Sequence, residues 1–433
     1  MMYKLSKFNY FCENKNNELL MFNTLAGTRS FCKISSKYKD KLNNLDLNQD
    51  MLKELYKKGI IVDKELDENQ KLYSAYLSVK NPSNLYLTIN PTEHCNFRCT
   101  YCYESYKNGT MSKEVQDEII KFVRANIHNY AGLNVAWFGG EPLMAMDCIA
   151  NLSKNFMEIC RFNKKPYTSS MTTNGYLLTY DTFKELLSYK VRGYQITIDG
   201  TKELHDKQRI TPNGKPTFDV IMKNLDDIRK SKRRDFVINI RSNVTYEIFD
   251  NVDEYIENVS NFCQNDDRFS VSFYKVGNWL DKVKAELRTH LIDDTSVLKH
   301  IYKKFIDSDK PINISVNMIN PGGGVCYGGK KNNYLLCADG SLHKCTVDFE
   351  DPNSIVGEIK DGTLKHNSKF FSMLSSSENC PEYKNCFYAP ICMGDPCPLK
   401  ERNTKNCPYH KEHLDEILVL YDKNKPFQTI MEG

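Results

Sequence analysis

Apolar positions near the start of the chain follow the two-residue period of a strand and then change to helical spacing. The runs "KFNYF" and "ELLMFNTL" flank the polar "CENKNN", a pattern that predicts a β-hairpin. The next segment, "NQDMLKELYKKG", has apolar residues at helical spacing and ends at Gly59, and the short strand "IIVDKEL" follows. Residues 1–80 are therefore expected to form a winged-helix-like module, with an N-terminal decoration of the main domain as the alternative.

From about residue 85 the pattern becomes a regular alternation of strands and helices. Helical patterns such as "SKEVQDEIIKFVRANI", "TFKELLSYK" and "FDVIMKNLDDIRK" separate short apolar runs. Repeated units of this kind predict a parallel sheet or barrel with right-handed crossovers. The strand candidates are "LYLTI" (85–89), "NVAWF" (134–138), "SSMTT" (169–173), "YQITI" (194–198), "FVINIRSNV" (236–244) and "FSVSFYKV" (269–276).

Four of these strand candidates lead directly into polar or glycine-rich motifs. "LYLTI" precedes a loop with three cysteines, "NVAWF" precedes "GGEPL", "SSMTT" precedes "NG", and "YQITI" precedes "DGTKELHDKQR". Ligands of parallel α/β folds collect at the carboxyl ends of the strands, which lie at one edge. The four motifs are therefore expected to converge on one site.

The regular alternation ends near residue 320. Glycine, proline, asparagine and cysteine dominate to about residue 410, and this stretch has too few apolar residues for a core of its own. An amphipathic helix, "HKEHLDEILVLYDK", follows. The expected division is a module at 1–80, an α/β unit at 81–315 and a cysteine-rich unit at 316–433.

Composition argues against some classes of function. Lys and Arg number 59 and Asp and Glu number 55, and a net charge of +4 does not call for a nucleic-acid partner. The densest basic run, Arg229 to Arg234, lies between a helical pattern and a strand and is interpreted as a solvated turn. No run approaches the ~20 apolar residues that span a bilayer, and the printed sequence does not open on a signal-peptide pattern. A cytoplasmic protein without membrane contact is expected.

The 16 cysteines are the strongest compositional signal, because in a reducing compartment dense cysteine usage indicates metal binding or catalysis rather than disulfides. The segment "TEHCNFRCTYCYE" has C-x3-C-x2-C spacing. Three such thiolates can hold three corners of a cubane iron–sulfur cluster and leave one iron open to a substrate. The alternative is a structural zinc site completed by His94, although zinc usually takes C-x2-C pairs and four closed ligands. The three cysteines are Cys95, Cys99 and Cys102.

This motif, with Tyr101 before its last cysteine, resembles the signature of radical S-adenosylmethionine (SAM) enzymes. The resemblance implies an α/β fold with a partial (β/α)6 barrel, and a [4Fe–4S] cluster on the three cysteines whose open iron chelates the methionine part of SAM. It further implies that one electron from the cluster cleaves SAM to a 5′-deoxyadenosyl radical, which abstracts a hydrogen atom from the substrate.

Further motifs resemble SAM-contacting elements of the same family. "GGEP" resembles the turn at which backbone groups and the glutamate receive the methionine ammonium, and "TNG" resembles the turn near the SAM ribose. "ITIDGTKELHDKQR" resembles the family's "SLDG…HDxxR" element, with threonine in place of serine, and His205 within it is interpreted as a hydrogen-bonding residue rather than a base. The SAM contacts implied by the resemblance are Tyr101, Gly139, Gly140, Glu141, Pro142, Asn174, Thr197 and Arg209.

The C-terminal cysteines form a second array. The segment "CYGGKKNNYLLCADGSLHKC" fits C-x13-G-x4-C and resembles the SPASM extension of radical SAM peptide maturases, although two later intervals are stretched. The resemblance implies two auxiliary [4Fe–4S] clusters, and so three clusters in all. Auxiliary cluster II is assigned to Cys380, Cys386, Cys392 and Cys407. Auxiliary cluster I is assigned to Cys326, Cys345 and Cys397.

The fourth ligand of auxiliary cluster I is left open by the sequence. Cys337 is the spare cysteine nearby, and either it completes the cluster or one iron stays open to a substrate thiolate. Two zinc sites of ribbon type are the alternative for the whole array, because thiolates bind zinc as readily as iron–sulfur clusters.

The combination of barrel and SPASM extension implies a peptide or protein substrate and a flavodoxin- or ferredoxin-type electron donor. The N-terminal module resembles the element of ribosomal peptide maturases that captures a leader peptide by adding a strand to its sheet edge, a resemblance carried by "ELLMFNTL" and "KKGIIVD". The chain is therefore expected to cross-link a ribosomally made precursor peptide, through a thioether or a carbon–carbon bond.

Other functions stay open at this point. An anaerobic sulfatase maturase, which makes formylglycine, is the first alternative. Such enzymes typically carry Asp directly after the cysteine equivalent to Cys345, and this chain has Thr346 there. RNA modification is disfavoured by the near-neutral charge, and a simple electron carrier would need neither an open iron nor the "GGEP" turn.

Overall fold

The computed structural model describes residues 2–263, 266–276, 296–308, 312–374, 380, 382–394, 397–399 and 407–430. In chain order its strands are β1 (Tyr3–Leu5), β2 (Asn9–Glu13), β3 (Glu18–Asn23), β4 (Cys32–Ser35), β5 (Ile61–Asp63), β6 (Leu85–Ile89), β7 (Leu133–Trp137), β8 (Tyr167–Thr173), β9 (Val191–Thr197), β10 (Val237–Val244), β11 (Phe269–Lys275), β12 (Asn333–Leu336), β13 (Leu342–His343), β14 (Gly357–Lys360), β15 (Thr363–His366) and β16 (Gln428–Thr429). Its α-helices are α1 (Lys39–Asn43), α2 (Gln49–Lys58), α3 (Glu68–Lys80), α4 (Lys113–Asn126), α5 (Met146–Phe162), α6 (Tyr180–Ser188), α7 (Lys202–Gln208), α8 (Phe218–Arg229), α9 (Tyr246–Asp250), α10 (Val252–Cys263), α11 (Ser296–Asp307), α12 (Ser368–Leu374), α13 (Ala389–Cys392) and α14 (Leu414–Asn424).

The N-terminal strands form the hairpin that the apolar pattern predicts. β2 pairs antiparallel with β3, and β3 pairs antiparallel with β4. The helix predicted after them is α2, which begins where the Asn48 side chain accepts a hydrogen bond from the Met51 amide and ends at Gly59 with φ 75°. β5 does not join this sheet but pairs antiparallel with β1.

The central unit is a strip of six parallel strands, in the order β11-β10-β9-β8-β7-β6. Every strand predicted from residue 85 onward is present, with ends shifted by three residues at most. Helices α4 to α11 lie between or after these strands in the chain, and parallel strands need connections of this length. The predicted α/β fold with a partial barrel is confirmed.

The cysteine-rich segment does not fold apart from the barrel. β12 pairs parallel with β6, and β13, β14 and β15 continue the same sheet with antiparallel pairing. Leu335 and Leu336 of β12 are fully buried. The segment thus compensates for its low apolar content by sharing the sheet and the core of the barrel.

One large apolar core includes residues from every part of the chain. Phe22 and Phe31 of the N-terminal segment, Trp137 of the barrel and Leu418 of α14 all belong to it. A smaller core lies between α2 and the sheet of β3 and β4, and it includes Met21, Ile34, Met51, Leu55 and Ile430. β3 separates the two cores, because successive side chains along a strand point to opposite faces.

Two expectations about the surface can be compared with the structure. The basic run between α8 and β10 forms a loop in which Arg233 is paired with Asp235 at 2.6 Å. This is the solvated turn that the sequence predicts. Among the described residues no helix combines the length and the apolar character needed to cross a membrane.

Candidate functional site: a cysteine-lined cavity at the barrel's carboxyl edge

The four sequence motifs converge at the carboxyl edge of the parallel strands, as predicted. They surround a cavity of about 1080 Å³, counted to its open mouth. Arg241, Asn243 and Gln195 also line this cavity, although the sequence analysis did not single them out. The predicted site residues that line it are Cys95, Cys99, Cys102, Tyr101, Gly139, Gly140, Asn174, Thr197 and Arg209.

The loop that carries the three cysteines is held in place by the last residue of α7 and the segment that follows it. The Arg98 amide donates to the Ile210 carbonyl at 2.7 Å, and the Thr100 amide donates to the Gln208 carbonyl at 2.9 Å. Phe97, between the first two cysteines, is fully buried, and the Arg209 guanidinium lies 5.7 Å from the centre of its ring. The loop is therefore fixed by backbone bonds and one buried aromatic side chain.

The three thiols have the environment that an iron–sulfur cluster needs. Burial raises the pKa of Cys95 to about 12 and that of Cys99 to about 11, so binding of iron must supply the energy of deprotonation. The Phe97 amide donates to Cys95 Sγ at 3.4 Å, as hydrogen bonds to cluster sulfurs do. Three cysteines around one roomy cavity therefore fit a cubane.

A single metal ion fits the same residues poorly. In the parts of the chain that the structure describes, no three His, Cys, Asp or Glu side chains are gathered tightly enough to hold one ion. A cubane places its thiolates farther apart, because each binds a different iron. His94, the candidate fourth zinc ligand, is exposed and does not line the cavity.

Tyr101 is the centre of a buried hydrogen-bond network. Its hydroxyl donates to the Asp199 carboxylate and accepts from Arg209 Nη1 at 2.5 Å and from Asn243 Nδ2 at 3.2 Å. The backbone amide of Asn243 donates to the other carboxylate oxygen of Asp199, Oδ1, at 2.8 Å. Arg209 Nη1 lies 3.6 Å from Asp199 Oδ2. The network ties the cysteine loop to the ends of β9 and β10, and it places the positive charge of Arg209 beside Cys99.

The "GGEP" turn touches the cysteine loop so closely that side chains are excluded. A Cβ on Gly139, where φ is +109°, would lie 2.5 Å from the Thr92 carbonyl oxygen, and one on Gly140 would lie 2.4 Å from those of Glu93 and His94. The Glu141 amide donates to the His94 carbonyl at 2.9 Å. The two glycines therefore allow the turn and the loop to pair by their backbones.

Glu141 and Pro142 lie behind the wall of the cavity rather than on it. The fully buried Glu141 carboxylate accepts hydrogen bonds from the Leu143 amide at 3.0 Å, the Thr173 hydroxyl at 2.8 Å and the Asn174 amide at 2.7 Å. It thus joins the turn after β7 to the turn after β8. Asn174, held in this way, points its Nδ2 at Asn96 Oδ1, 2.7 Å away.

His205 is a buried structural residue, as the sequence analysis interpreted it. Its Nδ1 accepts from the Asp199 amide at 3.3 Å, and its Nε2 lies 3.2 Å from the Thr217 hydroxyl. Burial, with Arg209 and Lys202 nearby, lowers its pKa well below the usual value. The neutral imidazole therefore positions Asp199 and does not face the cavity.

The four cysteines assigned to auxiliary cluster II line one small cavity of about 310 Å³. Lys411 Nζ donates to Cys386 Sγ at 3.4 Å and to Cys407 Sγ at 3.8 Å. The Lys411 side chain therefore places a positive charge beside two of the four sulfurs. The four are Cys380, Cys386, Cys392 and Cys407.

Two of the cysteines assigned to auxiliary cluster I precede residues that contact each other. Cys326 precedes Tyr327 and Cys345 precedes Thr346, and the hydroxyl oxygens of Tyr327 and Thr346 lie 2.7 Å apart. Burial raises the pKa of Cys345, and the third cysteine, Cys397, adds to this rise. Cys337 instead packs in a separate apolar cluster with Leu335, Phe349 and Tyr103.

A second cavity, of about 830 Å³, occupies the inside of the barrel. It shares Phe138, Thr172 and Gln195 with the first cavity, and Tyr327 and Thr346 line it as well. Thr346 directly follows Cys345, and its Oγ1 lies 2.7 Å from Tyr327 Oη. The two cavities therefore adjoin at these shared residues, and the second one extends to the residue that follows Cys345. The polar residues that alternate along β6, β8 and β9 are the sequence signal from which this lining could have been predicted.

Comparison with known proteins gives one family for the barrel. Residues 89–259 match the family model of the Radical SAM superfamily. Over 188 residues the chain is 33% identical to a GTP 3′,8-cyclase of Clostridium perfringens. The matched residues cover 42% of this chain and 52% of that protein.

Similarity also extends beyond the barrel. Over 380 residues the chain is 25% identical to a cysteine-type anaerobic sulfatase-maturating enzyme of Clostridium novyi, which covers 79% of this chain and 95% of that protein. A solved structure of native anSMEcpe with bound AdoMet and Kp18Cys peptide superposes with a TM-score of 0.57 at 21% identity, over 79% of this chain and 97% of that one. At that identity the structural match concerns the fold alone.

Proposed function

Because residues 89–259 match the Radical SAM superfamily and the C-terminal cysteine array resembles the SPASM extension, we propose that the chain modifies a ribosomally made precursor peptide by forming a thioether or carbon–carbon cross-link. The observation that carries the proposal is the pair of adjoining cavities, one lined by the three-cysteine loop and the other by Tyr327 and Thr346. A peptide side chain inside the barrel would lie between the SAM site and the segment of Cys345.

The radical SAM domain implies a [4Fe–4S] cluster and SAM, and the residues present fit both. Cys95, Cys99 and Cys102 would hold the cluster. When bound, the cluster and SAM together supply a carbon-centred radical that abstracts hydrogen. The residues proposed to bind SAM are those that line the cavity, namely Tyr101, Gly139, Gly140, Asn174, Thr197 and Arg209. Glu141 and Pro142 are proposed to support this surface from behind.

Two further clusters are proposed in the C-terminal unit. Auxiliary cluster II would bind Cys380, Cys386, Cys392 and Cys407, which share one cavity. Auxiliary cluster I would bind Cys326, Cys345 and Cys397. Because Cys337 packs with Tyr103 and Phe349, we propose that it is not a ligand and that one iron of auxiliary cluster I stays open to a substrate thiolate.

The residues inside the barrel would orient the peptide. Thr172 and Gln195 line both cavities, so they can donate to or accept from a peptide backbone next to the SAM site. The hydroxyls of Tyr327 and Thr346 could do the same at the other end. A flavodoxin- or ferredoxin-type donor is proposed to supply electrons, and the exposed Cys407 argues for a reducing, cytoplasmic setting.

The test is co-expression with a short peptide encoded beside the gene, followed by tandem mass spectrometry. A cross-link removes two hydrogens from the peptide, and fragmentation locates the two linked residues. A Thr346→Val variant, which removes the hydroxyl and keeps the shape, is the matched comparison inside the barrel. An unmodified peptide under reducing, oxygen-free conditions with SAM would count against the proposal.

An anaerobic sulfatase maturase is the second candidate, favoured by the 25% identity over 95% of the Clostridium novyi enzyme. Thr346 in place of the Asp expected there speaks against it. The two candidates differ in product, because formylglycine carries an aldehyde and a cross-linked peptide does not. Incubation with a cysteine-containing sulfatase peptide and an aldehyde-reactive hydrazide probe separates them.

A further inference from the structure

The N-terminal sheet has few edges at which another strand could pair. β3, which contains most of "ELLMFNTL", is paired with β2 on one side and β4 on the other. β2 lies at one edge of the sheet, where its Tyr10 ring stacks on Phe387 with ring centres 5.0 Å apart and the Tyr10 hydroxyl donates to Asp415 at 2.6 Å. The outer edge of β4 lies at the opposite side of the sheet, and a strand edge is a site for peptide pairing.

This edge of β4 is occupied by residues from near the other end of the same chain. β16 runs parallel to β4, with Gln428 opposite Cys32 and Thr429 opposite Lys33. The Ile430 amide then donates to the Lys33 carbonyl at 2.8 Å. The tail, defined as residues 428–430, therefore pairs with β4 as an added strand.

The tail also fills an apolar pocket between the sheet and α2. Ile430 is only 4% exposed, and it belongs to the small core of Ile34, Met51 and Leu55. Gln428 also lies near the carboxyl of Glu54 on α2, since after Lys57 it helps to lower the pKa of that group. Strand pairing on one side and a buried aliphatic side chain on the other are the two parts of a peptide-binding groove.

The tail is held by few contacts. Gln428 and Thr429 are exposed, and their strand pairs with β4 at only two positions. Phe427, which precedes the tail, belongs to the main core, where its ring stacks on that of Phe31 with ring centres 4.3 Å apart. The tail can thus leave β4 without disturbing α14 or the barrel.

We propose that the groove between β4 and α2 is a binding site for an extended peptide with an aliphatic side chain, and that the chain's own tail occupies it. A visiting peptide pairs with β4, places its aliphatic residue where Ile430 lies, and displaces residues 428–430. Identifying the displacing peptide as the precursor peptide rests on the proposed function. The existence of the groove and its occupation by residues 428–430 do not depend on that function.

The test uses a fluorescein-labelled peptide with the sequence of residues 425–433, "KPFQTIMEG", and a matched probe with Asp in place of the Ile. Three proteins are titrated by fluorescence anisotropy: the intact chain, the chain ended after Phe427, and the full-length Ile430→Asp variant. The shortened chain is expected to bind the first probe. The intact chain should bind it at least about tenfold more weakly, because its tethered tail competes at roughly millimolar effective concentration.

Each result decides the proposal. The full-length variant should bind the first probe more tightly than the intact chain does, and no protein should bind the Asp probe. Equal binding by intact chain and variant overturns self-occupation, and so does equal binding of both probes. If the shortened chain does not fold by circular dichroism, the full-length variant decides alone. Neither SAM nor clusters enter the measurement, so its failure is separate from any failure of the proposed function.

Discussion

At the scale of single residues, the hydroxyl of Tyr101 joins the cysteine loop to two barrel strands. It bonds Asp199, Arg209 and Asn243, all within the buried edge of the cavity. The sequence marked Tyr101 and Arg209 by their place in motifs. Asn243, on another strand, became visible as their partner only in the fold.

Tyr101→Phe is expected to destabilise the protein by about 2 kcal/mol, because it leaves buried donors of Arg209 and Asn243 without an acceptor. Urea unfolding of the reconstituted protein measures this change. Tyr246→Phe, on a tyrosine that is 45% exposed, is the control and should leave the urea midpoint unchanged. Equal midpoints for the two variants would show that the network contributes nothing.

His205 is expected to make stability depend on pH. Because burial, Arg209 and Lys202 lower its pKa in the folded state, the unfolded chain takes up a proton there first as pH falls below about 6.5. The stability that the neutral His205 contributes is present above that pH and decreases below it, by up to about 1.4 kcal/mol per pH unit.

Unfolding of wild type and His205→Gln between pH 7 and pH 5 tests this. Glutamine retains polar contacts to the Asp199 amide and Thr217 without titrating, so the variant should show a flatter slope. His128→Asn changes an exposed histidine and should keep the wild-type slope. A His205→Gln slope as steep as that of wild type would contradict the assignment.

At the scale of elements, hydrophobic period predicts the hairpin of β2 and β3, α2 and the six parallel strands. Their residues alternate or recur at the spacing of the element itself, so local pattern suffices. The sequence analysis did not predict β13 to β15. They are short, and their stability comes from pairing onto β12 and through it onto β6.

The turn after β7 gives a prediction at this scale. Gly139→Ala is expected to push the turn away from Thr92, and so to lower the iron and sulfide content of reconstituted protein. Gly214 has a similar positive φ of +71° but nothing within 4 Å of a Cβ. Gly214→Ala should therefore cost only the strain of a left-handed residue, about 1 kcal/mol, and keep full iron content. Equal iron content in the two variants would contradict the close-approach argument.

At the scale of the whole molecule, the N-terminal module, the barrel and the C-terminal helix share one core. Phe31 lies just before β4. Its ring stacks on that of Phe427 and packs against that of Tyr421 on α14, with the Phe31 and Tyr421 ring centres 5.1 Å apart. The interpretation of residues 1–80 as a separate unit stays a prediction. Phe22 and Phe31 of this module belong to the main core, whereas Met51 and Leu55 belong to the smaller one.

Phe31→Ala is expected to cost about 3 kcal/mol of unfolding free energy, because a large buried ring leaves a cavity at the junction of the two ends of the chain. Phe162→Ala is the control, since that ring is 86% exposed and should change stability little. The difference in urea midpoint between the variants measures the coupling. A Phe31→Ala midpoint equal to that of the control would mean that the module is independent.

The sequence by itself determined the cysteine chemistry proposed for the site and the positions of the barrel strands along the chain. Cysteine spacing and strand periodicity are properties of neighbouring residues, and they need no knowledge of distant contacts. Only the tertiary structure decided which distant groups meet: Asn243 with Tyr101, Cys337 with Tyr103, and Ile430 with α2. Such meetings depend on strand order and on shared cores, and no local pattern encodes the side on which a distant segment will pack.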